Sequence, residues 1–419
     1  MEDPFDFGGP RSCDSPDENV WVYGLMQDAY LWSPEMPDID PETFESPSEV
    51  VTALRVEPDR WSRVSDKAKT DALFEEGKVI SLGFATRRDL VGRLVVSYVS
   101  HDSPAERAGM KRGDVVDQIG GFTIAQLDDG DLWSDIYGED MPGVSVDVAF
   151  TTADDRREQV TLVKDWVTID TVPVSGVHEV NGRKVGYLLF GTFVDTAPAD
   201  LDASFAEFEQ AGVRDVIVDL RYNGGGRIAV ALHLAELLAG DVADGDVGYS
   251  VKYGPGLDDE DVSRGLSRID HRVRDPRRVV FITSHSTLSA SELVINIVRP
   301  YVDTKIVGDV TGGKPVGSHQ WSFCDKIAQP ITFRLLNAEG VGDYFDGLAP
   351  DCVAADDLSH QLGDPEEGAL SAALAMADRA SCPDQSPSGT DATGPGELGP
   401  ARDPVGAKLH ELDELAGWF

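Results

Sequence analysis

The stretch "VRDVIVDLRYNGGGRIAV", residues 213–230, is an apolar, β-branched run that ends in three glycines and resumes as a helix-forming segment. A strand that stops at glycines and restarts as a helix is the joint from which α/β sheets are assembled. The same alternation continues on either side. "KVGYLLFGTF" and a helix over 198–211 precede it, and "RVVFITSH", a helix near 290–299 and "TKIVGDV" follow. The second half of the chain therefore reads as a parallel or mixed α/β sheet, and the glycines let backbone N–H groups approach a ligand closely.

Working outward, residues 14–77 read as a helical N-terminal region. "NVWVYGLMQDAYLW" carries apolar side chains at helical spacing, and "SPSEVVTALR" opens with Ser and Pro as a helix start should. From 78 to 164 short alternating strands, "RLVVSYVS" and "VSVDVAFTT", flank "SPAERAGMKRGDVVDQIGG". Residues 1–13 are expected to be disordered, 165–382 to form the α/β core, and 383–404, rich in Pro, Gly, Ser and Asp, to be a disordered linker. In 405–419, Leu409, Leu412, Leu415 and Phe419 fall on one face of a short amphipathic helix.

The 419 residues suffice for two or three domains, and 41% hydrophobic content suffices for ordinary cores. Lys plus Arg number 36 against 75 Asp plus Glu, a net charge of −39 that disfavours nucleic acid and anionic lipid as partners. No run is long and apolar enough to span a membrane, and "MEDPFDFGGP" has no signal-peptide pattern. Cys13, Cys324, Cys352 and Cys382 lack CxxC spacing, which argues against zinc. Of the three connectivities, Cys324 with Cys352 and Cys13 with Cys382 is the favoured one, because the first two share a segment and the others flank the folded region. Four reduced, buried cysteines are the alternative.

Two further stretches carry chemistry. In "IVGDVTGGKPVG", residues 306–317, Gly308, Gly313 and Lys314 fit a phosphate-binding loop until Pro315 stands where a magnesium-ligating hydroxyl is needed. Lys314 therefore needs another role. In "STLSASELVINIV", residues 286–298, Ser289 stands where a strand gives way to a helix, and Ser289-x-x-Glu292 is also a capping box. A serine there has the positive end of the helix dipole beside it, which favours an oxyanion formed by attack. Serine needs a base. His285 would have to double back along its own strand, and His319 reads as a surface or supporting residue. Lysine can serve if burial lowers its ordinary pKa of about 10.4 by about three units. The glycine turn would give one oxyanion donor and the Ala290 N–H the other.

Taken together these segments resemble the C-terminal processing, or tail-specific, serine peptidases over most of residues 14–382. Asp219, Leu220, Arg221, Asn223, Gly225 and Gly226 match D-L-R-x-N-x-G-G; Ser289, Ala290, Ser291 and Glu292 match S-A-S-E; Gly313 and Lys314 match the G-K that follows 25 residues after the serine. The resemblance implies a crotonase-like α/β peptidase core with a Ser289/Lys314 dyad, oxyanion N–H groups from Gly225, Gly226 and Ala290, and no cofactor or metal. It implies that 78–164 is a PDZ domain whose loop Ser81, Leu82, Gly83, Phe84 takes the terminal carboxylate of protein substrates with apolar C-termini. Pro315 replaces a glycine of the family pattern, and Gln320 sits further along than the family's supporting glutamine. The resemblance and the cysteine count imply a periplasmic, envelope-associated or secreted protein. A non-catalytic binder of peptides or apolar ligands on the same scaffold is the rival reading, with a PDZ adaptor as a third. The oligomeric state is not legible.

Overall fold

In the computed structural model, residues 4–382 are described, apart from positions 90 and 131. The expected linker 383–404 and helix 405–419 lie outside the described residues.

Three helices form the N-terminal region. Helix α1, Ser15–Ala29, begins at Ser-Pro with Asp17 and Glu18 in its first turn, where acidic side chains meet the positive end of the dipole. Helix α2, Pro47–Leu54, is capped by Ser46, which accepts from the Glu49 N–H at 3.3 Å. Helix α3, Lys67–Glu76, is capped by Asp66 and stops at Gly77, which takes the left-handed conformation. The region is not an independent unit. Strand Arg63–Asp66 pairs with Lys326–Gln329, and Val22, Met26, Val50 and Leu54 share one core with Val316, Trp321 and Ile331.

Residues 4–13 are ordered by contacts, correcting the expectation of disorder there. Phe5 stacks on His319 with ring centroids 4.4 Å apart, Phe7 meets Trp321, and the indoles of Trp321 and Trp21 donate to the carbonyls of Phe5 and Phe7. Aromatic burial and two backbone acceptors outweigh the cost of ordering a short segment.

Residues 84–163 build a six-stranded antiparallel sheet in the order Phe84–Arg88, Leu94–Val99, Val115–Ile119, Ser145–Thr151, Arg157–Val163, with Phe84–Arg88 at one edge and the short strand Phe122–Thr123 paired to Val115–Ile119 off this path. Short helices α4, Pro104–Arg107, α5, Ile124–Gly130, and α6, Trp133–Tyr137, accompany it. Leu82, Val96, Met110, Leu127 and Phe150 fill a core of its own. A ribbon of Lys78–Ser81 and Asp165–Thr168 joins this sheet to the remainder.

A second six-stranded sheet runs in the order Val174–Val180, Arg183–Leu189, Asp215–Asp219, Arg278–Thr283, Asp303–Gly308, Cys352–Val353; the first pair is antiparallel and the rest parallel. Helices α7, Ala197–Ala211, α8, Ile228–Ala239, and α9, Ala290–Val298, cover one face. Helix α10, Gly368–Arg379, covers the other. Strand-to-helix passages therefore bring residues 220–228 and 284–290 to the same edge of the sheet, where α/β folds place ligands.

The disulfides are Cys13–Cys324 and Cys352–Cys382, not the pairs expected. Packing of Phe5 and Phe7 on the 319–323 segment carries Cys13 to the turn at Cys324. Helix α10 lies across the strands next to Cys352 and ends at Arg379, shortly before Cys382. Spatial neighbours, not sequence neighbours, decide the connectivity.

Candidate active site

Ser289 is a non-glycine residue at φ 58°, in the turn that feeds helix α9. Such a conformation persists only where the surroundings enforce it, and here they do. The Leu288 N–H and the Ser291 hydroxyl both donate to Asn223 O, at 3.2 and 2.9 Å, and the Thr287 hydroxyl donates to Leu220 O at 2.8 Å. The 219–226 motif is thereby stitched to the serine turn.

Glu292, wholly buried, holds the other half. Its Oε2 accepts from the backbone N–H groups of both Ser289, at 2.9 Å, and Lys314, at 2.8 Å, while Oε1 accepts from the Gly313 N–H at 2.8 Å and from the Thr311 hydroxyl. Burial pushes this carboxyl above the ordinary glutamate range, and the bonds from Thr311, Lys314, Gly313 and Ser289 oppose it. Reading Glu292 from sequence as a helix cap captures one of these four bonds.

Gly225 and Gly313 are two positions where only glycine fits. A Cβ on Gly225, at φ 106°, would lie 2.8 Å from Leu288 O and 2.9 Å from Ala290 N. One on Gly313, at φ 80°, would lie 2.2 Å from Phe345 O. Gly225 is thus in contact with the backbone on both sides of Ser289. Its own N–H is already donated to Asn223 Oδ1 at 2.9 Å. Gly226 closes a bridge with Phe193.

Ser289 and Lys314 line one cavity of about 830 Å³, together with Gly224, Gly226 and Trp61. The Lys314 amine lies 5.9 Å from the Trp61 ring centre. Gln320 also reaches the cavity, but its described partner is Arg227, which donates to it at 3.3 Å. His285 and His319 both line the cavity, so His319 is a wall residue; its Nε2 lies 2.8 Å from the Tyr253 hydroxyl.

Sequence reasoning passed over an ionic knot behind the site. Arg221, 2% exposed, donates to both oxygens of Asp219, to both oxygens of Glu367 and, at 2.9 Å, to Asp356. Asp356 also receives Arg112 at 2.6 Å and the Tyr222 hydroxyl at 2.5 Å. Arg112 belongs to the 84–163 sheet unit and Tyr222 lines the cavity, so this cluster fastens the one to the wall of the other. Nothing in the local sequence announces it, because its members come from four separated segments.

The expected loop Ser81, Leu82, Gly83, Phe84 stands at the start of the edge strand. The Gly83 N–H donates to Ser81 Oγ at 2.9 Å, Leu82 O accepts from Ala105, and Phe84 pairs with Val99. Arg87 on the same strand donates to Ser286, two residues from the serine turn, and lies over the Tyr222 ring.

The family description "Peptidase family S41" matches residues 184–354, its N-terminal domain matches 17–63, and a PDZ domain matches 95–132. The chain belongs to peptidase family S41. Carboxyl-terminal-processing peptidase 3 of Arabidopsis thaliana is 26% identical over 247 residues, covering 57% of this chain and 46% of the relative. Carboxy-terminal processing protease CtpA of Bacillus subtilis is 23% identical over 263 residues, 62% and 53% of the two chains. This S41 chain spans about half the length of the curated relatives it matches. Its fold is that of a Bacteroides fragilis structure described as an S41 protease, with TM-score 0.69, 23% identity and coverage of 86% and 97%, and of the photosystem II D1 C-terminal processing protease, with TM-score 0.52, 20% identity and coverage of 85% and 96%. The mixed α/β, PDZ-bearing architecture is therefore the one read from the sequence.

Proposed function

We propose that this S41 chain is a serine endopeptidase working through a Ser289/Lys314 dyad on flexible protein substrates. The observation that carries the reading is the Glu292 carboxylate, which holds the backbone of both residues on one oxygen beside a shared cavity. Lys314, deprotonated, takes the proton of Ser289; the alkoxide attacks the peptide carbonyl, the C–N bond breaks as the leaving amine takes that proton from Lys314, and water, deprotonated in turn by Lys314, hydrolyses the acyl-enzyme and frees Ser289. The Ala290 N–H, at the start of helix α9, and an N–H of the Gly225–Gly226 turn hold the oxyanion. For Gly225 that role requires exchange of its bond to Asn223 Oδ1. The 78–164 region presents an open edge strand to an apolar C-terminus, with Gly83 giving up its bond to Ser81 to receive the carboxylate. Two disulfides favour an oxidising compartment such as a periplasm or the cell exterior.

The test is degradation of an unfolded protein with an apolar C-terminus by wild type, Ser289→Ala and Lys314→Ala. Cleavage that both substitutions abolish supports the dyad. Intact substrate with all three folded proteins favours the non-catalytic binding reading, which leaves peptide affinity indifferent to both substitutions.

A further inference from the structure

The chain as a whole is strongly acidic, with 36 basic against 75 acidic residues. Its active-site cavity is the reverse. Arg60, Arg63, Arg227, Arg264 and Lys314 line it, and no aspartate or glutamate does among the described residues. Apolar walls such as Phe74, Ile228 and Leu232 stand between the cations, so their field acts across low-dielectric surface.

Arg227 is placed to matter most. It follows the Gly225–Gly226 turn that abuts Ser289, and its guanidinium lies 4.5 Å from the Phe74 ring centre. Its Nε is buried with no hydrogen-bond partner among the described residues; it is ion-paired with Asp195 Oδ1 at 3.5 Å, outside the cavity lining, and its Nη1 donates to Gln320 at 3.3 Å. A buried donor left unbonded is costly, and an incoming acceptor relieves that cost. Arg264 stands on the exposed strand Val262–Gly265, opposite Tyr249, which also lines the cavity. Arg60 and Arg63 are already spoken for in part, by Gly312 O and Gln329 Oε1.

Resting on the peptidase reading, we infer that this enzyme selects peptide segments bearing Asp or Glu side chains beside the scissile bond, with Arg227 and Arg264 as the specificity-determining residues. A carboxylate entering the cavity exchanges water for guanidinium donors in bidentate geometry, the arrangement in which arginine surpasses lysine. The net charge of −39 repels such substrates at long range, and salt screens that repulsion over about 10 Å, whereas the partly buried pair formed inside is screened less. Selection therefore resides in the cavity and not in the approach. Capture of a C-terminus by the PDZ region is a separate event at a separate surface.

The probe is a pair of fluorogenic unfolded peptides, identical except that the residues within three positions of one cleavage site, mapped first by mass spectrometry on casein, are Glu in one and Gln in the other. Wild type, Arg227→Gln, Arg227→Lys and the Arg227→Gln/Arg264→Gln double variant are compared, with thermal melting to certify folding. The expected result is a Glu-over-Gln preference in kcat/KM of about tenfold or more for wild type, the scale of one charged hydrogen bond. That preference falls toward unity in the double variant and is partly kept by Arg227→Lys. Equal cleavage of both peptides by wild type, or a preference that survives in the double variant, overturns this inference and leaves the peptidase reading standing. A folded wild type that cleaves neither peptide nor casein overturns both.

Discussion

Ser289 and Lys314 donate their backbone N–H groups to the same atom, Glu292 Oε2, so two residues 25 apart in sequence have main-chain nitrogens within about 6 Å of each other. A helix-capping carboxylate has become the hinge pin of the site. Glu292→Gln would set an amide donor against backbone donors. We expect thermal stability to fall by roughly 1–3 kcal/mol for the unsatisfied group, and peptidase turnover to fall by about a hundredfold or more as the two side chains lose registration. Unchanged turnover in a folded Glu292→Gln variant would refute the idea that this carboxylate aligns the dyad.

Gly225→Ala tests the turn against which the serine rests. The added methyl would lie under 3 Å from Leu288 O and Ala290 N, at a φ of 106° that alanine avoids. Turnover should collapse while circular dichroism stays native, because the clash is with the loop around Ser289 and not with the sheet. A fully active alanine variant would show that the loop has slack this packing denies it.

Arg221→Ala should be among the most damaging single changes. It strips the partner from two fully buried carboxylates, Asp219 and Glu367, and breaking such a knot costs roughly 3–5 kcal/mol. Chemical denaturation gives the figure directly. A loss under about 1 kcal/mol would mean that water reaches the cluster and takes over the role of the guanidinium.

The same knot sets an acid limit. Burial alone would raise the Asp356 carboxyl, but the charges of Arg112 and Arg221 hold it below its ordinary range; Glu367 is likewise held down, by its bonds to Arg221, against the effect of burial. A carboxyl whose folded pKa is depressed contributes stability that is complete above its unfolded value, about 4, and is lost as pH falls through the folded value. Melting temperature should therefore drop steeply below about pH 4, and Arg112→Ala should lessen the part of that drop due to Asp356. An acid profile identical in wild type and variant would remove Asp356 from the account.

How much of this was legible depends on whether the cause is local. The strand, three glycines and helix at 213–230 were readable because apolar periodicity and glycine act on their immediate neighbours, and helices α7, α8 and α9 stand where that pattern put them. The order of Ser289, Glu292 and Lys314 pointed to one site, yet the fourfold role of Glu292 was not visible, since three of its donors lie beyond its own helix. The cysteine pairing was misread because segment order says little about which chain ends meet. Phe5 and Phe7, which guide Cys13 to Cys324, sit in a stretch whose composition suggests disorder. Arg112 and Asp356 carry no local signature at all.

The Cys13–Cys324 bond makes most of the molecule a covalent ring, closed across 311 positions of sequence. A single cut anywhere in that ring, by a contaminating protease, would leave one molecule of unchanged mass apart from an added water. Nicked and intact protein would run together on a non-reducing gel and separate only when thiol is added. Damage to the loops that frame the cavity could therefore accumulate without the fragments ever parting, and each half would remain available to hold the other in place.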